Sequence, residues 1–165
     1  MNKSTSLLYS PTLALAALAS TFLCPAISQA KEYTTSGTGT YVQMASEPTQ
    51  LANGTVAIHT MSKGVLICDD ENDPIHLATQ DVAATMIYDV NGNLIKGMGY
   101  ADGITRDGDV FTISWVTNEK GNTWEYIEGT GLFEGVKGGG TTVNLVIHPD
   151  MRQVIRFEGT VILKD

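Results

Sequence analysis

Along most of the chain beyond residue 30, apolar and polar residues alternate with a period of two. In 109–117 (DVFTISWVT), Phe111, Ile113 and Trp115 share one face, while Val110, Thr112, Ser114 and Val116 share the other. In 123–128, Trp124, Tyr126 and Glu128 oppose Thr123, Glu125 and Ile127. In 153–163, Ile155, Phe157, Val161 and Leu163 oppose Arg156, Glu158 and Thr160. Period two belongs to strands, whose successive side chains point to opposite faces. Turn signals punctuate the alternation: Asn53-Gly54, Lys63-Gly64, Asn91-Gly92, Asp102-Gly103, Asp107-Gly108, Gly121-Asn122, Gly138-Gly139-Gly140 and His148-Pro149-Asp150. Asn-Gly and Asp-Gly tolerate the positive φ of tight hairpins.

Between these signals the pattern predicts strands over 37–45, 54–60, 64–68, 82–89, 94–100, 109–117, 123–129, 141–148 and 153–163. Eight or nine strands in this space, with no helical periodicity, predict an all-β chain: a single antiparallel barrel of about eight strands. Closure also removes the open sheet edges that invite aggregation. Both faces keep apolar residues, so parity alone leaves open which face lines the interior.

The first thirty residues read differently. Lys3 is followed by an apolar stretch from Leu13 to Leu23 and then by Ser28-Gln29-Ala30. A basic start, a short apolar centre and small residues at the end form a secretory signal peptide, and the run is shorter than the ~20 residues a membrane span needs. Leu23 directly before Cys24 fits a lipidation site poorly, so cleavage is placed after Ala30. The expected product is one exported domain, 31–165, periplasmic or extracellular, of 165 − 30 = 135 residues with no transmembrane segment. It keeps one cysteine, Cys68, and must hold together without an internal disulfide. Eighteen acidic against ten basic residues, a net charge of −8, argue against nucleic acid or an anionic membrane surface as partner.

Residues 129–142 read GTGLFEGVKGGGTT: a strand ending in Gly-Thr-Gly, an aromatic, a turn ending in Gly, and a following Gly-x-Gly-Thr strand. This resembles the C-terminal signature of allene-oxide-cyclase-like and dirigent-like barrels. The looser order upstream, with an Asp107-Gly108-Asp109 turn and a Trp-bearing strand, extends the similarity back to about residue 82. The resemblance implies an eight-stranded barrel with a largely apolar lumen. Some relatives cyclise or steer reactive unsaturated substrates with a few polar groups deep in the barrel; no catalytic motif carries over residue by residue.

Candidate chemistry is sparse. Asp69, Glu71 and Asp73 match the opening spacing of a calcium loop, but Pro74 stands where the sharp turn needs Gly and Gln80 where the bidentate Glu belongs. A solvated acidic loop is the expectation there. His59, His76 and His148 form no metal-ligand spacing, and neither a hydrolase elbow nor a dinucleotide fingerprint is present, so no metal and no cofactor are expected. The better clues are polar groups on apolar strands. Glu125 and Tyr126 are the candidate catalytic pair, because a carboxyl enclosed in an apolar lumen has a raised pKa and can act as acid or base. Trp115, Tyr88, Tyr100 and Phe157 are the candidate ligand-binding residues. Against this stands the reading that Glu125, Arg156 and Glu158 lie outside and pair across strands.

Two functional classes follow: an exported barrel that binds a small apolar or amphipathic ligand in its lumen, and a lumenal isomerase or cyclase acting on a reactive unsaturated substrate. A third is a structural barrel packed solid. Ligand identity and oligomeric state are not written in the sequence. An enclosed pocket, and the side chains that enter it, separate the three.

Overall fold

The computed structural model describes residues 30–164; residues 1–29 of the expected signal peptide, including Cys24, lie outside the described residues. Eight strands follow one another around a closed barrel: β1 (Lys31–Gln50), β2 (Val56–Cys68), β3 (Thr79–Tyr88), β4 (Leu94–Ile104), β5 (Val110–Asn118), β6 (Gly121–Gly129), β7 (Lys137–Ile147) and β8 (Gln153–Leu163). Every neighbour is antiparallel, and the ladder from Lys31↔Leu163 to Tyr41↔Gln153 joins the last strand to the first.

The strand count is eight because Lys63-Gly64 is not a turn. Gly64 sits inside β2, paired with Tyr41 on one side and Gln80 on the other, and the Tyr41 ring lies against it. The predicted strands 54–60 and 64–68 are therefore one. Asp102-Gly103 likewise lies within β4, with the Phe111 ring over Gly103, and Gly138-Gly139-Gly140 lies within β7. In each case the glycine marks a ring or backbone packed close to the strand. Hairpin turns do form at Gly54, Gly92, Gly108 and Gly121, all with positive φ, and at His148-Pro149-Asp150, where Met151 takes the positive φ and joins β7 to β8.

The barrel interior has two unlike halves. The closed end holds the core: Phe111, Val161 and Leu163 from the strands, and Phe133 from a single 3₁₀ turn at Gly131–Phe133. The Phe133 ring lies 5.1 Å from Phe111, and Phe111 meets Tyr126 edge-on at 5.6 Å. Burying each such side chain contributes about 1.5–3 kcal/mol. The acidic connection after β2 belongs to this end. Its first part, Asp69 to Asn72, is exposed as a solvated loop would be, but the segment then buries Asp73, whose Oδ1 accepts the Ile75 N–H at 3.0 Å, and tucks Ile75 and Ala78 into the core.

At the β6–β7–β8 junction three backbones approach closely. Gly140 pairs with Trp124 on β6 and with Gly159 on β8. A Cβ on Gly140 would press on the Glu158 carbonyl oxygen and stand 2.6 Å from the Gly159 Cα. Backbone cannot swing aside as a side chain can, so Gly140→Ala is expected to destabilise the barrel by about 1–3 kcal/mol. Chemical denaturation checks this, and an unchanged midpoint would mean that the junction has slack.

Candidate functional site in the open half of the lumen

Alternation fixes which side chains face inward. On β5 these are Phe111, Ile113, Trp115 and Thr117; on β6, Trp124 and Tyr126; on β8, Gln153, Ile155 and Phe157. Beside β5, strand β4 presents almost no side chain, because its inward positions include Gly97, Gly99, Ala101 and Gly103. The Trp115 ring fills part of that space, with its Cζ2 2.9 Å from where a Cβ on Gly99 would be. Bulky groups on β5 and glycine on β4 leave a cavity of about 300 Å³ above the core, at the lower end of the usual small-molecule range of roughly 300–1,000 Å³. A barrel packed solid does not match this space.

The cavity floor is aromatic and aliphatic, with Phe111, Tyr126, Phe157, Leu66 and Ile75. Two polar groups are set into it. Tyr41 donates from its hydroxyl to Gln80 Oε1 at 2.5 Å, and Gln80, at 3% exposure, is held in the wall. That bond leaves the Gln80 Nε2 hydrogens without a partner among the described residues. The Tyr126 hydroxyl is the second, and it too makes no hydrogen bond among them. Burial raises the phenol pKa of both tyrosines, and the Asp73 carboxylate below adds to the effect on Tyr126. Both therefore stay neutral; Tyr41 has given its one O–H to Gln80, and Tyr126 is the phenol that still has a donor to offer.

Of the residues singled out from sequence, Trp115, Tyr88, Phe157 and Tyr126 come together on the cavity wall. Glu125 and Tyr100 do not. Glu125 is one position out of phase with Trp124 and Tyr126 and stands exposed on the outer wall, where its Oε1 accepts from Ser114 Oγ at 3.3 Å. Tyr100, out of phase with Gly99 and Ala101, is 60% exposed outside β4. Sequence reading passed over Tyr41, Gln80 and Trp124. Trp124 shares the parity of Tyr126, so one inward assignment would have found it; Gln80 carried no signal beyond its place in the acidic segment.

Among the described residues no Asp, Glu, Lys, Arg or His lines the cavity. Charge is kept outside it: Lys63 pairs with Asp81 at 2.8 Å, and Arg156 on β8 grips Asp69 in the acidic connection with both terminal nitrogens. Among the described residues no three or more His, Cys, Asp or Glu converge as metal ligands, and no helix is long and apolar enough to cross a membrane.

The geometry has solved counterparts. The pterocarpan synthase dirigent protein PsPTS1 superposes with a TM-score of 0.52 at 11% identity, over 82% of this chain and 97% of that one. The pterocarpan synthase dirigent protein GePTS1 does so at 0.51 and 11%, over 82% and 86%. The barrel is dirigent-like. That is the fold expected from the sequence, and at this identity the likeness concerns fold alone. No protein-family model and no curated protein matches the sequence.

Two expectations follow from the charges around this dirigent-like barrel. Hydrogen bonds from Arg156 and Ser36 hold the Asp69 carboxyl at about 2, below its ordinary 3.8. A depressed carboxyl stabilises the fold above its unfolded pKa, and that contribution disappears as pH falls through the folded value. Asp69→Asn should therefore lower stability at pH 6 and lose its effect between about pH 4 and pH 2. Denaturation at both ends of that window is the check, and an equal effect throughout would remove the charge explanation. Under the floor, burial and the neighbouring Asp73 push the Cys68 thiol up to about 12. Alkylation by iodoacetamide at pH 8 should run roughly a hundredfold or more slower in the folded than in the denatured chain, because only the thiolate attacks; comparable rates would show the closed end to be open.

Proposed function

We propose that the chain is an exported barrel that binds a small, uncharged, apolar or amphipathic molecule in its lumen. The observation that carries this reading is the cavity of about 300 Å³ without one charged lining side chain, in a protein of net charge −8. An ionic ligand drawn into it would lose its hydration and meet no counter-charge, which is costly. A neutral molecule would gain the aromatic floor and, at Gln80 and Tyr126, two donors for an oxygen atom. Export is supported by the leader-like first thirty residues.

The second reading, a lumenal isomerase or cyclase, has Tyr126 in its favour. A neutral phenol on the floor could polarise a carbonyl or epoxide oxygen, and the confined shape could select one folding of the substrate. Glu125, on the outer wall, has no access to such a substrate. With no base lining the cavity, binding is the reading we place first.

Both tryptophans of the chain, Trp115 and Trp124, line the cavity, so indole fluorescence reports on the lumen directly. N-phenyl-1-naphthylamine, a neutral apolar fluorophore, is expected to quench it by energy transfer with saturation at one site. Ala84→Phe, which places a ring in the lumen, should weaken that binding at least tenfold while leaving the circular dichroism unchanged. Failure of the wild-type chain to bind this and other neutral probes, with nothing co-purifying in native mass spectrometry, would end the binding reading.

A further inference from the structure

The walls of the open half differ in chemistry. Mouthward of the Trp115↔Trp124 pair, strands β5 to β8 turn Thr117, Asn122, Thr142, Asn144 and Gln153 inward, a belt of amides and hydroxyls set beside Ile147 and Ile155. Apolar side chains at this level are gathered on β3 and β4, as Val82, Ala84, Met86 and Leu94, while β1 and β2 beside them add Gln43, Ser46, Thr60 and Ser62. A ligand at this level meets amides and hydroxyls round most of the rim and an apolar strip on β3 and β4.

The belt is wired so that groups of both kinds remain. Gln153 Nε2 donates to Asn144 Oδ1 at 2.6 Å, and the Thr117 hydroxyl donates to Asn122 Oδ1. These two bonds occupy amide oxygens. The Nδ2 groups of Asn122 and Asn144 and the Oε1 of Gln153 then have no partner among the described residues. Donors and an acceptor therefore stand along one strip. An ether, ester or ketone only accepts and would leave Gln153 Oε1 unmatched. A carboxylate would meet that oxygen with repulsion, and an ammonium would confront two amide donors with a third. A hydroxyl donates and accepts at once, and a row of them matches the strip. The partner surface for Met86 and the indole of Trp115 is then the C–H face of the ring that carries those hydroxyls.

Building on the lumen-binding reading, we propose that the ligand is amphipathic and neutral, with a polyhydroxylated ring of the sugar class in the amide belt and its apolar portion on the aromatic floor. The head is oriented by Asn122, Asn144 and Gln153, while the tail lies against Phe111, Tyr126 and Phe157.

Three probes with the same tail separate the alternatives: octyl β-glucoside, 1-octanol and octanoate, each titrated below its micelle-forming concentration against Trp fluorescence. The glucoside is expected to bind at least tenfold tighter than the other two. Asn122→Leu combined with Asn144→Leu should remove that advantage and leave 1-octanol binding within about twofold, which also shows that the variant is folded. Such selectivity is what a site built around substrate hydroxyls gives when the hydroxyls are missing. Equal binding of glucoside and 1-octanol, or an advantage that survives the double substitution, overturns the sugar assignment and leaves the lumen-binding reading standing. Binding of N-phenyl-1-naphthylamine with none of the three probes bound has the same meaning. Tightest binding by octanoate overturns the neutral-ligand reading, and no binding by any probe, the naphthylamine included, overturns both.

Discussion

Everything in this molecule depends on the β1–β8 ladder. Once Lys31–Tyr41 is paired with Leu163–Gln153, the sheet has an inside and an outside, and each strand must divide its side chains between them. Among the described residues no disulfide helps, because Cys68 is free and buried. Closure joins the two ends of the domain, so the contact with the greatest separation in sequence holds the barrel shut. Such a pairing carries a loop-closure entropy that local hairpins do not. The aromatic core at the closed end lies along this ladder, with Phe157, Val161 and Leu163 of β8 buried beside it, and its burial offsets that entropy.

Closure alone does not make a cavity. A barrel of eight strands is just wide enough to be filled by its own side chains or to hold one small ligand. Residue size decides between the two outcomes, and it does so differently at the two ends. At the closed end, rings from β5, β6 and β8 meet Phe133 from the 3₁₀ turn and the space is full. Higher up, β4 contributes glycines and Ala101 where another strand would place large residues. Trp115 and Met86 lean into that gap without filling it. The missing side chains of one strand thus produce the open half of the lumen, and the floor beneath it is the top of the core.

Much of this was legible from residue order, because barrels are governed by period two. Phe111, Ile113 and Trp115 on one side of β5, and Ile155 and Phe157 on one side of β8, form the inward faces that alternation grouped. What alternation lacks is a sign. Glu125 and Tyr126 are adjacent in sequence and so lie on opposite walls, and only closure says which of them is inside. Tyr100 was misleading for the same reason, since its inward neighbours are glycine and alanine and give no apolar pattern to exclude it. Glycine itself was ambiguous: at Gly92 it makes a turn, at Gly64 and Gly103 it yields space to a ring. That distinction depends on a ring brought in from the neighbouring strand, Tyr41 lying 64 − 41 = 23 positions from Gly64 and Phe111 lying 111 − 103 = 8 from Gly103, and alternation within one strand does not reveal it.

The placement of charge connects fold and function most directly. A chain with eighteen acidic and ten basic residues could be expected to leave some of them in a cavity this size. Instead the ionic pairs lie on the outer wall, in the acidic connection and in the exposed β7–β8 turn, and among the described residues the buried carboxylate near the lumen, Asp73, is below the floor and engaged with the backbone of its own loop. For stability alone the lumen need not be so selective, because the open half is wide enough to admit water that would solvate a charge. Binding gives it a reason. A neutral guest displaces that water and then shares a low-dielectric space with whatever lines it, where an unpaired charge would cost far more than the amides and phenols found there. Those groups can be satisfied by the guest's own oxygens, and Tyr41, already bonded to Gln80, keeps one of them in position before the guest arrives.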